Sequence, residues 1–187
     1  MSKEMTRCGW VTSDPDYIAY HDNEWGTSLR DSRQLFEMIC LEGQQAGLSW
    51  LTILKKREGY RKSFHQFDPV KIARMDETDV ERLMQDRAIV RNRAKINAII
   101  HNARAYLQMV EQGEDFSTFI WRFVDDSSLI NHWKTPAEVP AQTAISDALS
   151  AALKKRGFKF IGSTTCYAFM QAAGLVNDHL THCWCRK

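Results

Sequence analysis

Cysteine and histidine collect at the two ends of the chain, with Cys8 and His21 near the start and His179, His182, Cys183 and Cys185 near the finish. These are zinc-ligand types. His179 and Cys183 stand four positions apart, so on a helix both side chains would leave one face within reach of a single ion. Cys8 and His21 have no such local spacing, and His182 or Cys185 could replace a member of the C-terminal pair. From spacing alone, a zinc site and a set of buried thiols with satisfied histidines fit equally well. Two Cys and two His would fill four positions and leave none for water, which makes such a site structural and ties the two chain ends together.

A second concentration is aromatic and acidic. Trp10, Trp25 and Trp50, three of the six tryptophans, and Tyr17 and Tyr20, two of the five tyrosines, fall in the first fifty residues. Between the last two tryptophans runs Cys40-Leu-Glu-Gly-Gln-Gln-Ala-Gly-Leu-Ser-Trp50. Glu42 lies close to the apolar helical face of Leu35, Phe36 and Ile39, where a carboxylate is costly unless it has a partner or a job. For a single Glu the plainer reading is a helix C-terminus at Gly43 with Glu42 capping something local. Aromatics around one recessed carboxylate and amides are nonetheless what a pocket for a flat, electron-poor heterocycle contains. Rings stack on it, and the carboxylate selects positive charge or an exocyclic N–H.

A third feature is Ala151-Ala-Leu-Lys-Lys-Arg-Gly157-Phe-Lys-Phe-Ile-Gly162-Ser-Thr-Thr, an amphipathic helix, a short turn bracketed by glycines and a second helix from about Ser163. This pattern resembles a helix-hairpin-helix element. Its glycines would let the backbone approach phosphates, and N–H groups at the second helix's start would receive the anion. Lys154, Lys155, Arg156 and Lys159 add cations, and Ser163 and Thr164 offer hydroxyls. An ordinary αα-hairpin with a glycine cap and a solvated basic end fits these residues as well.

The elements that must position these groups are helices. Ser32 can cap a helix carrying Leu35, Phe36, Ile39 and Cys40, while Asp68-Pro69 and Thr135-Pro136, with Glu138 beyond, are further helix starts. The longest run, about Asn92 to Gln112, sets Ile96, Ile99, Ile100, Ala103, Leu107 and Val110 on one stripe, with Gly113 placed to end it. No segment alternates apolar and polar as a half-buried strand does, so the expected fold class is all-α. At 187 residues, with 44% hydrophobic and 26% charged residues, the chain suits one well-buried domain and excludes a disordered or low-complexity polymer.

A net charge of +2 gives no bulk signal of a polyanionic partner. No apolar run reaches the roughly 18 residues of a membrane span, and the polar start Met-Ser-Lys-Glu lacks the apolar middle of a secretory signal, which points to the cytoplasm and away from any membrane. In that reducing compartment five cysteines serve packing or metal ligation rather than disulfides.

Taken together, Cys8-Gly-Trp10, Tyr17-Ile-Ala-Tyr20-His21-Asp-Asn-Glu-Trp25-Gly26, Phe36 to Trp50, Lys154 to Gly162 and Gly174-Leu-Val-Asn-Asp-His179 resemble the 3-methyladenine DNA glycosylase I family, in family order from Cys8 to about Cys183. The resemblance implies a monofunctional base-excision enzyme. It would flip 3-methyladenine out of double-stranded alkylated DNA, hydrolyse the N-glycosidic bond and leave an abasic site. It implies a helix-hairpin-helix glycosylase fold over a single domain, 1–187, whose terminal segments, about 1–30 and 175–187, are joined by a structural zinc on Cys8, His21, His179 and Cys183.

The base pocket falls on Glu42 as the catalytic residue, with Tyr17, Tyr20 and Trp50 as walls and Trp10 and Trp25 nearby. DNA contacts fall on Gly47 and Leu48, which would fill the gap left by the flipped nucleotide, and on Lys159, Gly162, Ser163 and Thr164. No catalytic cofactor is implied, and a monomer is expected. Many helix-hairpin-helix glycosylases carry a catalytic Asp downstream of the hairpin. Asp178 is the nearest here, but it precedes a proposed zinc ligand and the family is not thought to use an Asp in that role.

Two rivals remain on residues alone. A zinc-stabilised DNA-binding module without catalysis needs no pocket and leaves a recessed Glu among five aromatics unexplained. A zinc hydrolase needs an open coordination position, which four Cys and His ligands would not leave.

Overall fold

The computed structural model describes residues 5–186, so the outermost positions of the expected terminal segments and of the polar N-terminus, 1–4 and 187, lie outside the described residues. The helices begin where short polar side chains can take up first-turn N–H groups. Asp14, Asp31, Ser49 and Asp68 cap α1 (Pro15–Asn23), α2 (Ser32–Gln44), α3 (Trp50–Ser63) and α4 (Pro69–Ala73). Asp76, Asn92, Asp115 and Thr143 do the same for α5 (Glu77–Leu83), α6 (Arg93–Glu111), α7 (Phe116–Trp121) and α8 (Ala144–Lys155). The last helix, α9 (Ser163–Ala172), starts at Gly162 with no side-chain cap.

Several expectations shift by a residue or a turn. The cap of α2 is Asp31 rather than Ser32, because the preceding carboxylate takes the Gln34 N–H. The Ser32 hydroxyl instead donates to Asp115 and accepts from Ser117 N, joining the starts of α2 and α7. Thr135, Pro136 and Glu138 make the expected capping box, but on a single 3-10 turn, Pro136–Glu138. α6 does end before Gly113, yet Val110 is 52% exposed, because the buried stripe drifts through Asn102, Ala105 and Met109 as the helix leaves its partners.

The chain is mostly helical rather than wholly so. Leu129–Ile130 (β1) and Val176–Asn177 (β2) form a two-residue parallel pair, with Leu129 opposite Val176. Elements this short carry no alternating pattern to read. The pair brings the segment after α9 alongside residues 129–131.

α2 is the central element and packs against α3, α6, α7 and α9. Every residue from Met38 to Gln44 is buried, so the helix is enclosed all round in this stretch, as a core helix must be. Ile53 and Tyr60 of α3, Ile96 and Ile99 of α6, Ile120 of α7, Leu149 and Leu153 of α8 and Phe169 and Met170 of α9 complete the same core. Gly43 lies inside α2 and does not end it. A Cβ there would stand 2.9 Å from the carbonyl oxygen of Phe160, so glycine is what lets α2 touch the α8–α9 turn. Among the described residues no helix is long and apolar enough to cross a membrane.

Candidate active site

Glu42 projects from the enclosed stretch of α2 and is 4% exposed. Its Oε2 is buried without a hydrogen-bond partner among the described residues, and burial pushes its carboxyl up to about 8. It lines a cavity of about 360 Å³ together with all five singled-out aromatics, Trp10, Tyr17, Tyr20, Trp25 and Trp50. Trp10 meets Tyr17 with ring centroids 5.0 Å apart and Trp25 at 5.1 Å, and Tyr20 meets Trp50 at 5.6 Å. The indole Nε1 of Trp50 is also buried without a partner. Two side chains that line the cavity thus each carry a buried polar atom without a partner among the described residues, groups that a flat polar heterocycle could satisfy. In a larger hollow of about 520 Å³ elsewhere, Arg57 pairs with Glu24, Arg61 with Glu37, and Arg33 donates to the Gln66 carbonyl.

Asp178 also reaches this cavity, but its carboxylate is already saturated. It accepts hydrogen bonds from Asn131 Nδ2 at 2.7 Å, Trp133 Nε1 at 2.9 Å and Gln171 Nε2 at 3.0 Å, and from the Tyr167 hydroxyl. Asp178 thus joins the β1 and β2 segments and α9. The sequence offers Asp178 as the nearest candidate for a catalytic Asp, set aside for its place beside His179; its structural bonds leave no sequence signal.

The four expected metal-ligating residues converge. Cys8, His21, His179 and Cys183 are all buried, and their ligand atoms lie within 4.8 Å of one another. Cys8 Sγ is 3.6 Å from His179 Nδ1, and Cys183 Sγ is 3.5 Å from both His179 Nδ1 and His21 Nε2. For tetrahedral zinc with bonds of about 2.3 Å to sulfur and 2.05 Å to nitrogen, the sulfur–nitrogen edge is about 3.55 Å. The cage therefore fits the ion.

The second nitrogen of each ring is held as well. His179 Nε2 lies 2.9 Å from the Trp25 carbonyl, and His21 Nδ1 lies 2.8 Å from Asp22 Oδ1, whose carboxylate Arg7 grips. Burial holds both imidazoles below their ordinary range, hence neutral and able to ligate, and pushes the Cys8 thiol up to about 12. His179 and Cys183 sit in an extended and turned segment, not on a helix, because the chain after β2 is held by Asp178 and by turns. His182 is exposed, and Cys185 stands outside the four, 3.9 Å from His21 Nδ1.

Between α2 and α3 runs the loop of Gln45 to Ser49. Gly47 takes φ +77°, and Leu48 is 39% exposed. Lys95 of α6, buried and without a carboxylate partner among the described residues, donates to the carbonyls of Gln44 at 2.9 Å and Ala46 at 2.6 Å, while the Gln44 side chain accepts from the Tyr60 hydroxyl. This cation at the C-terminus of α2 ties down the start of the loop. It was missed in the sequence, although a lysine spaced three and four from Ala98 and Ile99 was the signal.

The α8–α9 hairpin is present as expected. Gly157 takes φ +94°, the Asn102 side chain bridges both backbone groups of Lys159, and Ser150 Oγ donates to Ile161 O. Two details differ. The Ser163 hydroxyl donates to Asp147, leaving its backbone N–H as the outward donor, and Arg156 is paired with Glu114 at 2.8 Å. Lys154, Lys155 and Lys159 have no ion pair among the described residues. Thr164 is exposed, and no neighbour stands within 4 Å of where a Gly162 Cβ would be.

The profile of the methyladenine glycosylase family matches residues 10–187. The chain is 66% identical over 181 residues to "DNA-3-methyladenine glycosylase 1" of Escherichia coli (strain K12), covering 97% of both chains. It superposes on a crystal structure of 3-methyladenine DNA glycosylase I with TM-score 0.96 and 63% identity, covering 97% of this chain and 100% of that one. A variant 3-methyladenine DNA glycosylase I in complex with 3-methyladenine matches with TM-score 0.94 and 40% identity over 98% of each chain.

Proposed function

The chain belongs to the methyladenine glycosylase family, and from that premise we infer that it excises 3-methyladenine from alkylated DNA. It hydrolyses the N-glycosidic bond and leaves an abasic site, the first step of base-excision repair. The observation that carries this reading is Glu42: a buried carboxylate with an unpartnered oxygen, facing a cavity walled by five aromatic rings.

Methylation at N3 makes adenine cationic, so its glycosidic bond is already weak and the base departs neutral. Little acid catalysis is needed. Ring faces attract the cationic base, and a positive charge beside Glu42 favours its carboxylate, which then accepts a hydrogen bond from the base edge. An unmethylated base brings no charge to favour ionisation of that buried carboxyl, gains no charged hydrogen bond from it, and is rejected. Glu42 thus recognises the base and stabilises it electrostatically and is not a general base. Tyr17, Tyr20 and Trp50 form the walls, with Trp10 and Trp25 behind. Asp178, with four donors already on its carboxylate, has a structural part.

The substrate is double-stranded DNA with the target nucleotide flipped out. Leu48, presented by Gly47, fills the gap. The uncapped start of α9 at Gly162, Ser163 and Thr164 receives a phosphate, with Lys159 alongside. Cys8, His21, His179 and Cys183 hold a structural zinc, which supplies no chemistry to the reaction and fastens the terminal segments, within about 1–30 and 175–187, to each other. One chain supplies every group of the pocket, so a monomer and a single domain over 1–187 suffice. Chromatography of the bases released from methylated DNA tests the reading: free 3-methyladenine is expected, and release of no base would refute it.

A further inference from the structure

The loop that presents Leu48 is a ridge with two sides. On one side Gln45 and Trp50 face the aromatic cavity. On the other, Leu48 borders a shallow hollow of about 460 Å³ whose floor is apolar, Ile89 and Val90, and whose rim is basic, Lys56, Arg87 and Arg91. Arg87 and Arg91 are exposed and have no carboxylate partner among the described residues, whereas neighbouring Arg82 and Arg93 are both paired. These two cations are therefore free for a ligand.

The segment that carries them is firmly built. Ala88 lies so close to α3 that a Cβ on Gly59 would stand 2.3 Å from its carbonyl oxygen. Asp86 accepts from Ser63 Oγ at 2.6 Å and Ala88 N at 2.9 Å, Lys56 Nζ donates to Arg87 O at 2.9 Å, and Val90 N donates to the Tyr60 hydroxyl at 3.2 Å. A mid-helix glycine and four hydrogen bonds thus fix a loop whose outward arginines pair with no carboxylate among the described residues.

We propose that this hollow seats the DNA strand opposite the lesion, with Arg87 and Arg91 each on a backbone phosphate and the apolar floor against the sugars. The proposal rests on the reading of Leu48 as the residue that fills the gap in a DNA duplex. If Leu48 enters the stack and the flipped nucleotide passes to the cavity side, the complementary strand is left on the hollow's side, where the unpaired cations stand. Charge complementarity and continuity with Leu48 select this occupant.

The test uses the full chain and its Arg87→Ala/Arg91→Ala variant. Binding is measured against salt on a duplex carrying a stable abasic-site analogue and on the lesion strand alone. Each lost phosphate contact flattens the log K against log salt slope by about 0.9 on duplex DNA, so the double variant is expected to be shallower by about 1.8 on the duplex. It should be unchanged on the single strand, with the thermal midpoint unaltered. An unchanged duplex slope overturns the proposal, and so does an equal flattening on both substrates, which would put the arginines on the lesion strand. Failure of the parent reading has a different signature, a wild-type protein that releases no 3-methyladenine, and it would take this proposal with it.

Discussion

The imidazole Nε2 of His179 lies 2.9 Å from the carbonyl oxygen of Trp25, and the two rings meet edge to face at 4.7 Å. The cysteine and histidine cluster and the aromatic cavity therefore share a wall. Trp10 reinforces it, standing 5.1 Å from both His21 and Trp25.

Metal removal should accordingly act on stability first. Purified protein is expected to carry one zinc per chain by atomic absorption, and chelation or Cys183→Ser should lower the thermal midpoint. A loss of a few kcal/mol corresponds to roughly 5–10 °C for a chain of this size. Excision should fall only as the fold is lost. Chelation that abolished activity with the midpoint unchanged would point to a catalytic ion instead.

The buried carboxyl of Glu42 gives a pH signature. It ionises near 4.5 when exposed and at about 8 when folded. Between these values the folded state holds a proton that the unfolded state has lost, so stability is full below pH 4.5 and falls as pH rises toward 8. Glu42→Gln removes that loss. The variant should equal the wild type near pH 4.5 and exceed it by on the order of 3 kcal/mol at pH 7, in denaturant melts across pH. Parallel curves would show that the carboxyl is not held protonated.

The recessed place of this carboxylate was legible in the sequence because its evidence is local, a Glu near an apolar helical face flanked by tryptophans and tyrosines. On residues alone a capping role was the plainer reading, and its part in a pocket came through the family resemblance. Helix existence was equally local. Spacing alone left the metal cage an even choice, and the four ligands came together only through the family resemblance, because Cys8 and His21 meet His179 and Cys183 only after the whole chain folds between them. The same holds for Arg156, whose charge pairs with Glu114, and for Asp178, whose four donors come from two distant segments, the stretch after β1 and α9. The β1–β2 pair left no pattern because a two-residue strand has no period.

Gly162 separates a phosphate contact from a structural glycine. Its φ of −61° suits alanine, and no atom stands within 4 Å of the added Cβ. Gly162→Ala should leave the thermal midpoint unchanged yet weaken DNA binding roughly tenfold, the loss of about one charge-assisted hydrogen bond. Unchanged affinity in a fluorescence-anisotropy titration would remove the hairpin from the DNA interface.

Lys95 should behave as the strut of the Leu48 loop. Lys95→Met leaves the carbonyls of Gln44 and Ala46 without their donor. Binding of free 3-methyladenine, read by tryptophan fluorescence, should weaken less than excision from duplex DNA. Equal losses in both would show that the residue serves the pocket rather than the loop.

The most direct measurement is single-turnover release of 3-methyladenine from methylated duplex DNA by the wild type, Glu42→Gln and Trp50→Ala, with the fold of each verified by thermal melting. The wild type should release the base. Each variant should lose roughly tenfold to a hundredfold in rate while remaining folded, the value of a hydrogen bond or ring contact to a charged partner. Release at the wild-type rate by both folded variants would contradict the assignment of this cavity as the base-recognition site.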